Sequence, residues 1–533
     1  MAIAEATAAP IDIERSVSPW LIAPVVALAS FMEVLDISIA NVALNHIAGA
    51  LGASLDESTW VLTSYTVTNV MILPVSAWLS TVLGRRNYFQ LSIIGFSLTS
   101  LLCGIAPTLG LLVLFRALQG LTGGGLQPVS QAILMDAFPP AMRGVAMAVF
   151  GLAVVFAPAI GPTLGGWLTD NFDWRWVFLI NVPVGFLVSL LVQAFVKDPE
   201  YLVRERAQRR RVGIKLDGIG LSLLVVGVGF LQVVLDRGQD DDWFGSNAIV
   251  IMSATSAIAI VSFIIWEWNS DHPIVDLRLL RYRNFAIGCL QLFVLGVVVL
   301  SSVTLMPLFV QELLGYPAMQ AGYVMTAGGC VMIVTMPFTG WLLSRYDGRW
   351  MMAIGFLVCG ISTLKLTTLD LTASFAVLAW CWVFAQSSLA FIFIPINVMA
   401  YTGVPADKTG DISGLLNMFR NLGASVGISM ATTELSRRAQ YHQEILSAQT
   451  SPLNSAYRSM LQGASHAVAS ISNGAVETVA RANAFIYQEI LQQANLMAFL
   501  DDFQVIGYCA LALVPLAFLM ERGPTAKGPV SMH

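Results

Sequence analysis

Apolar runs of about twenty residues recur along the whole chain, and this repetition restricts the fold more than any other feature. A helix that crosses a bilayer needs about 20 mostly apolar residues, because the hydrocarbon core is roughly 30 Å thick and each residue rises ~1.5 Å. By that length about fourteen runs qualify: 20–42, 58–80, 88–107, 110–134, 144–168, 176–196, 217–236, 247–268, 285–309, 320–343, 350–370, 375–402, 413–435 and 502–521. Inside hydrocarbon every backbone N–H and C=O must bond internally, so unbroken runs of this length read as helices. Composition points the same way. Of the 533 residues 56% are hydrophobic and 11% charged, against about 25% charged in soluble domains. So few charges cannot cover a globule of this size, and the outer surface must face lipid. An all-α polytopic membrane protein is expected, with the lipid bilayer as its main partner and no nucleic acid.

Where the charges fall orients the ladder. Arg85, Arg86, Arg143, Lys197, Arg204, Arg206, Arg209, Arg210, Arg211, Lys215, Arg278, Arg281, Arg283, Arg345, Arg349 and Lys408 all lie in even-numbered connections. Short odd-numbered connections hold little beyond Arg175 and Arg237. Cytoplasmic loops carry the excess of Lys and Arg, so both termini are expected in the cytoplasm. Trp60, Trp78, Trp167, Trp174, Trp176, Trp243, Trp266 and Trp350 sit near run ends, as interfacial aromatic belts require. The first run is too long for a signal-peptide core of roughly 7–15 residues, so an uncleaved first helix is expected. The six cysteines lie in apolar runs without C-x-x-C spacing and read as packing residues, with no metal site.

Three irregularities break the ladder. The connection at 197–216 is the most basic, with Arg209-Arg210-Arg211, and reads as a solvated anchor more readily than a lipid or partner site. Runs seven and eight form a hairpin through the acidic turn Asp240-Asp241-Asp242. Residues 436–501 form a long segment outside the membrane, rich in Gln, with Ile445, Leu453, Met460 and Leu461 recurring as in amphipathic helices. A segment of that size is uncommon without a purpose, and it could cap the pore or dock a partner. A faint repeat is also visible: Trp78-Leu79 before Gly84-Arg85-Arg86 resembles Gly340-Trp341-Leu342 before Arg345 and Gly348-Arg349. Repeated halves about a central site are a common transporter plan.

Ionisable groups inside hydrocarbon are costly and mark function by default. Here they are Glu33 and Asp36 in run one, Arg116 in run four and Arg420 in run thirteen. Three residues apart, Glu33 and Asp36 share a helix face. Two buried carboxylates so placed cannot both ionise cheaply, so the pair would hold and release a proton. Arg116 is permanently charged and needs a counter-charge. It and Asp36 both fall roughly 10 Å below the outer boundary at ~1.5 Å per residue, so they meet if runs one and four are neighbours. That pair could carry protons or simply fix helix register. Gln119, one turn beyond Arg116, reads as a polar contact or a donor to the pair. Arg420 could snorkel, bond a carbonyl or gate a passage. Gly120, Gly123, Gly124 and Gly125 in run four, and Gly151, Pro158, Gly161, Pro162, Gly165 and Gly166 in run five, allow close helix approach and bending. Met32, Met71, Phe150, Phe156, Phe293, Met306, Phe309, Phe391 and Phe393 offer adaptable apolar surface for a substrate.

Several spaced motifs coincide with a known family. Leu35-Asp36-x-Ser38-Ile39-Ala40-Asn41-Val42-Ala43, then Arg116-x-x-Gln119-Gly120, resembles the major facilitator superfamily. So do Ala157-Pro158-x-x-Gly161-Pro162-x-x-Gly165-Gly166 and Trp174-Arg175-Trp176-x-Phe178-x-Ile180-Asn181-x-Pro183-x-Gly185. Pro273-Ile274-Val275-Asp276-Leu277, Arg283-Asn284-Phe285 and Asn417-x-Phe419-Arg420-x-Leu422-Gly423 extend the likeness over most of the chain. Within the superfamily it is most similar to the fourteen-span drug:proton antiporters of the multidrug-resistance-B type.

The resemblance implies fourteen transmembrane helices in two six-helix bundles with two extra central helices, working by alternating access. The implied division is a cytoplasmic N-terminus over 1–19 and an N-terminal bundle over 20–196. A basic linker with the extra helices follows over 197–283, then the first five helices of the C-terminal bundle over 284–435. A periplasmic segment over 436–501 and a last helix with cytoplasmic tail over 502–533 complete it. It assigns proton and substrate coupling to Asp36, with Glu33 as an additional acid that would favour cationic substrates or a second proton. Arg116 takes a proton-relay role, and Asn41, Gln119 and Arg420 are supporting polar groups. Pro158, Gly161, Pro162, Gly165 and Gly166 form the antiporter helix, and Gly84, Arg85 and Arg86 the gate connection. In that connection Ala77, Thr81 and Val82 replace the family's Gly, Asp and Arg, and Asn45 replaces a proline after run one. A bacterial inner-membrane location is implied and, for Gram-negative members, a periplasmic adaptor and an outer-membrane channel as partners.

The function expected is proton-driven export of amphipathic drugs or toxic compounds, using the proton-motive force and no cofactor. A proton symporter importing a nutrient, or a siderophore or fatty-acid transporter of the same fold, is the alternative. No intramembrane Ser/His, paired-Asp or metal constellation suggests an enzyme.

Overall fold

The computed structural model describes residues 18–522, apart from 200, 205, 208–216, 272, 406–407, 452 and 469–474. The Arg209-Arg210-Arg211 cluster, Lys215 and nearly all of the 1–19 segment lie outside the described residues. Among those described the chain is helical, without strands. The first half comprises α1 (Pro19–Leu51), α2 (Leu55–Leu83), α3 (Arg85–Gly104), α4 (Leu109–Gly123), α5 (Leu126–Ala137), α6 (Arg143–Asn171), α7 (Trp176–Leu179) and α8 (Asn181–Phe195). Then come α9 (Gly218–Arg237) and α10 (Asn247–Asn269). The second half contains α11 (Arg283–Leu308), α12 (Ala318–Leu343), α13 (Gly348–Leu366), α14 (Phe375–Met399), α15 (Thr409–Ala448), α16 (Ser455–Val468) and α17 (Ala475–Phe518).

Local chemistry sets the ends of these helices. Pro19 opens α1 at a position whose N–H would be unpaired anyway, and Gly52 closes it in the left-handed conformation at φ 64°. Ser54 and Glu57 form a reciprocal capping box at the start of α2. Among the described residues twelve helical stretches are long and apolar enough to cross a membrane, the broken α4–α5 pair acting as one. The remaining two expected spans coincide with α3 and the first part of α15, helices that carry more polar side chains.

The two halves repeat one packing plan. In the first, α1 lies on α6, α2 on α4, and α3 on α8; in the second, α11 lies on α15, α12 on α14, and α13 on α17. The faint sequence repeat is thus a structural one. Across the seam α6 meets α12 and α14, while α15 meets α2 and α5. The extra hairpin α9–α10 leans on α2 and α15, straddling one side of this seam. Gln232 of α9 donates to Ser425 of α15 at 2.8 Å, while Arg237 of α9 donates to Thr59 of α2 at 2.9 Å.

The end bearing Arg85, Arg86, Arg143, Arg345 and Arg349 is the basic end, and there the halves are in close contact. A Cβ on Gly340 would fall 2.8 Å from the Gly144 carbonyl oxygen, so these two backbones touch. One turn deeper, Asn417 donates to Gln131 at 2.6 Å and Gln131 to Asn397 at 3.3 Å. At the opposite end α15 and α17 run on past the bilayer at 40 and 44 residues, and with α16 they build a helical extension. Its small core holds Ala464, Ala482, Ile486 and Leu461, whereas Leu453 is 91% exposed and Ile445 and Met460 are also exposed. Of the four apolar positions singled out in this segment, only Leu461 therefore packs there.

Candidate functional site

Asp36 lies midway along α1 and is fully buried. Its Oδ2 accepts from Arg116 Nη1 at 2.5 Å, and its Oδ1 accepts from Asn181 Nδ2 at 2.6 Å and Gln119 Nε2 at 3.1 Å. Ser100 Oγ accepts from the same two amides, at 2.6 Å from Gln119 and 3.1 Å from Asn181. Five helices of the first half thus converge, since Arg116 Nε also donates to the Val61 carbonyl of α2 at 3.1 Å. Such density of donors is what a carboxylate needs in hydrocarbon, where an unpaired charge costs several kcal/mol. The guanidinium itself is held from several directions. It sits 4.2 Å from the Tyr65 ring centre and 5.4 Å from that of Phe178, and Nη1 donates to Gln119 Oε1 at 2.7 Å. Arg116 can therefore keep its place if Asp36 gains a proton.

Glu33 is equally buried but belongs to other neighbours. Its Oε1 accepts from Asn69 Nδ2 at 2.9 Å, and its Oε2 has no hydrogen-bond partner. Gln127 of α5 lies beside it, and the charges that act on it are Arg420 first and Asp36 more weakly. A proton-sharing Glu33–Asp36 pair, expected from their spacing, is not what forms. Three residues advance about 300° around a helix, so side chains on one broad face still diverge by about 60°. Here one carboxylate turns into the first half and the other toward the seam.

Arg420 donates from Nη2 to Gln127 Oε1 across the seam and is only partly buried. Asn41 stands apart: it is exposed, and no hydrogen bond joins it to the cluster. Five residues past Asp36 it is rotated about 140° away. The substrate-facing aromatic set divides as well. Met32, Phe150, Met306 and Phe309 are fully buried packing residues, and Phe150 stacks on Phe393 across the seam at 6.5 Å.

The Gly/Pro helix α6 is fitted to α1 beside Asp36. Pro162 lacks an N–H, so the Pro158 carbonyl one turn back loses its helical donor, and the Ser38 hydroxyl donates to it at 3.4 Å. A Cβ at Gly161 would overlap the Ser38 side chain, and one at Gly165 would come within 3.2 Å of the Ile39 backbone. Gly166 differs, with nothing within 4 Å of a Cβ there.

At the basic end Gly84 turns the chain at φ 92° between α2 and α3. Arg85 forms an ion pair with Asp136 at the end of α5, and Tyr201 also donates to Asp136, at 2.9 Å. The Arg86 N–H donates to Asp198 at 2.7 Å. The acid missing at Thr81 is thus met by carboxylates from other segments. In the second half Asp347 occupies the matching turn, accepting from Arg349 Nη2 at 2.8 Å. Partial burial pushes the Asp347 carboxyl up, but the hydrogen bonds and charge of Arg349 outweigh this and hold it below the usual carboxylate range. Sequence reasoning missed Asn181, Ser100, Asn69, Gln127, Asp136, Asp198 and Tyr201. A lone amide in an apolar run was the available signal for Asn181 and Asn69.

The chain is similar to known proteins. The model of the Major Facilitator Superfamily matches residues 26–428. Multidrug export protein EmrB of Escherichia coli (strain K12) is 35% identical over 496 residues, covering 93% of this chain and 94% of its own. Probable multidrug resistance protein EmrY of the same organism is 36% identical over 538 residues, covering 99% and 100%. The crystal structure of the human organic anion transporter MFSD10 (TETRAN) superposes with a TM-score of 0.56 at 15% identity, covering 92% of this chain and 99% of that one. At that identity the last likeness concerns the fold alone.

Proposed function

The chain belongs to the major facilitator superfamily and is a multi-pass membrane transporter rather than an enzyme, and from that premise we propose that it exports amphipathic compounds across the bacterial inner membrane in exchange for protons. The single observation that carries this proposal is the sealed Asp36–Arg116 pair with its three-helix set of amide and hydroxyl partners. A transporter that only needed a fixed register would not require a carboxylate there, since apolar packing of similar volume serves as well or better. Proton entry to Asp36 removes the charge that Arg116 faces. Arg116 then stays with Val61, Gln119 and Tyr65, while α1 is released from it.

Motion has a route from there. Ser38, two residues along α1, is bonded into α6, and α6 carries Gly144, Phe150 and Gly151 into contact with the second half. A shift of α1 against α6 would therefore bear on the seam. With the basic end taken as cytoplasmic by the positive-inside rule, closure around Gly144 and Gly340 corresponds to an outward-facing state of alternating access. Both termini are then cytoplasmic, and no cofactor is needed beyond the proton-motive force. The names of EmrB and EmrY support drugs as cargo. The helical extension would stand on the periplasmic side, its thirteen residues of α15 past 435 reaching about 20 Å at ~1.5 Å each. It is the surface we assign to a periplasmic adaptor that leads to an outer-membrane channel.

Transport direction tests the proposal. In inside-out vesicles, an interior-acid gradient is predicted to drive uptake of an amphipathic dye, and collapse of the gradient with a protonophore to stop it. Uptake driven instead by an interior-alkaline gradient would make the protein a symporter.

A further inference from the structure

The extra hairpin α9–α10 is bound to both halves, but unequally. On the first half, Arg237 pairs with Asp56 at 3.0 Å, donates to Thr59 at 2.9 Å and lies 5.5 Å from the Trp60 ring centre. A Cβ on Gly229 would overlap the Met71 side chain, so α9 and α2 are closely packed there. On the second half the hairpin's hydrogen bonds are neutral among the described residues. Gln232 donates to Ser425 at 2.8 Å, and Trp243 Nε1 donates to Thr433 Oγ1 at 3.2 Å. Both acceptors lie on α15 between mid-membrane and the end opposite the Gly144–Gly340 contact.

Trp243, in the turn between α9 and α10, is held in an unusual way. Asp242 at φ 58° and Trp243 at φ 45° are the residues other than glycine with left-handed backbone among those described. Such strain persists where the surroundings impose it. Here the Trp243 backbone N–H donates to the Gly238 carbonyl at 2.6 Å, and the ring covers Gly238 so closely that a Cβ there would fall 2.7 Å away. The hairpin thus fixes the indole in place. An indole has one N–H, and this one is shared: it also donates to Gln239 Oε1 of the hairpin itself, again at 3.2 Å.

We propose that Trp243 is a catch between the halves: the hairpin travels with the first half, and the indole N–H turns to Thr433 when the basic end of the seam is closed and to Gln239 alone when that end opens. The charged and close-packed contacts to α2 decide which half the hairpin follows. A neutral, divided bond is the one that gives way. Because Gln239 stays beside the indole, release leaves its N–H partnered, and the cycle is spared the cost of an orphaned donor. Gln232 adds a second tie that favours the same arrangement, and its amide keeps Asp236 at 2.9 Å when Ser425 withdraws. The device biases a two-state equilibrium and takes no part in proton coupling. It rests on the export reading only for the parting of the halves.

The test is double electron–electron resonance on the full chain in nanodiscs, without cargo or gradient. Spin labels replace Asn171 and Met319, exposed residues at the ends of α6 and α12 away from the basic end, in a background lacking the six native cysteines. Closure at the basic end gives the longer distance between these labels, and opening there the shorter one. Thr433→Val removes the acceptor on α15 and is predicted to raise the ratio of short to long distances several-fold. Thr433→Val with Ser425→Ala should raise it about tenfold. Gln239→Ala removes the other acceptor and should act with the opposite sign, raising the longer share. Loosened packing alone would give one sign for both. In Trp243→Phe, which keeps a ring over Gly238 and lacks the N–H, Gln239→Ala and Thr433→Val should have no further effect. Unchanged distances in Thr433→Val overturn the catch, and so does a shift of the same sign in Thr433→Val and Gln239→Ala. A Gln239→Ala shift that persists in Trp243→Phe overturns it as well. Failed dye export would leave these readings standing, and failure of the catch would leave the export reading untouched.

Discussion

Asp36 depends on three donors from two other helices, Arg116 and Gln119 of α4 and Asn181 of α8, and the loss of any one should be felt in stability and in coupling. Asn181→Leu removes the donor at 2.6 Å and leaves a buried carboxylate oxygen under-bonded, a loss of about 1–3 kcal/mol. Its expected signature is a lowered thermal midpoint together with fewer protons moved per cargo molecule. A variant with wild-type stability and stoichiometry would remove Asn181 from the site. The Asp36–Arg116–Gln119 part of the cluster was legible in the sequence, because depth along two antiparallel runs is simple arithmetic. Asn181 lies within one of the sequence motifs, but nothing local in the sequence says that α8 turns it toward α1. The neighbours of Glu33 were not legible, for a related reason. Spacing along a helix gives the face, but whether two side chains on it share neighbours depends on helices distant in sequence.

At the scale of elements, the fit of α6 against α1 is the most specific contact. Gly161→Val would drive a side chain into Ser38 and is expected to abolish transport while leaving membrane insertion intact. Gly166→Ala, five residues further along the same motif but with open space around it, should transport normally. Equal activity of the two variants would show that the motif matters for composition and not for contact. The sequence marked these glycines without ranking them, because only the partner helix tells a filled approach from an open one. The turn before α13 supports a pH prediction. Asp347 is held below the usual carboxylate range in the folded protein, so its contribution is present above the unfolded pKa and lost as pH falls through the folded one. Asp347→Asn should lower the thermal midpoint at neutral pH, with the difference shrinking as the medium becomes strongly acidic. A difference that grows on acidification would contradict the ion pair with Arg349.

For the whole molecule, two repeated halves with a seam closed at one end imply that the seam must part there in each cycle. Gly144 and Gly340 touch through their backbones at that closure. A Gly144→Cys, Gly340→Cys double variant, in a background lacking the six native cysteines, should lose transport on oxidation and recover it on reduction. Undiminished transport by the cross-linked protein would rule out opening at the basic end. The halves and the extra hairpin were legible from run counting and charge placement. Closure was not, because charge placement marks which end is basic, whereas only packing across the seam shows where the halves touch.

The central claim, that cargo export is coupled to protonation of Asp36, is tested most directly by proton release. Purified protein in lightly buffered detergent solution, with a pH indicator, is mixed with a permanently charged amphipathic compound that carries no exchangeable proton. Wild type is predicted to release protons as the compound binds, and Asp36→Asn to bind it without release. Proton uptake by wild type, or release that persists in Asp36→Asn, would contradict antiport through this carboxylate.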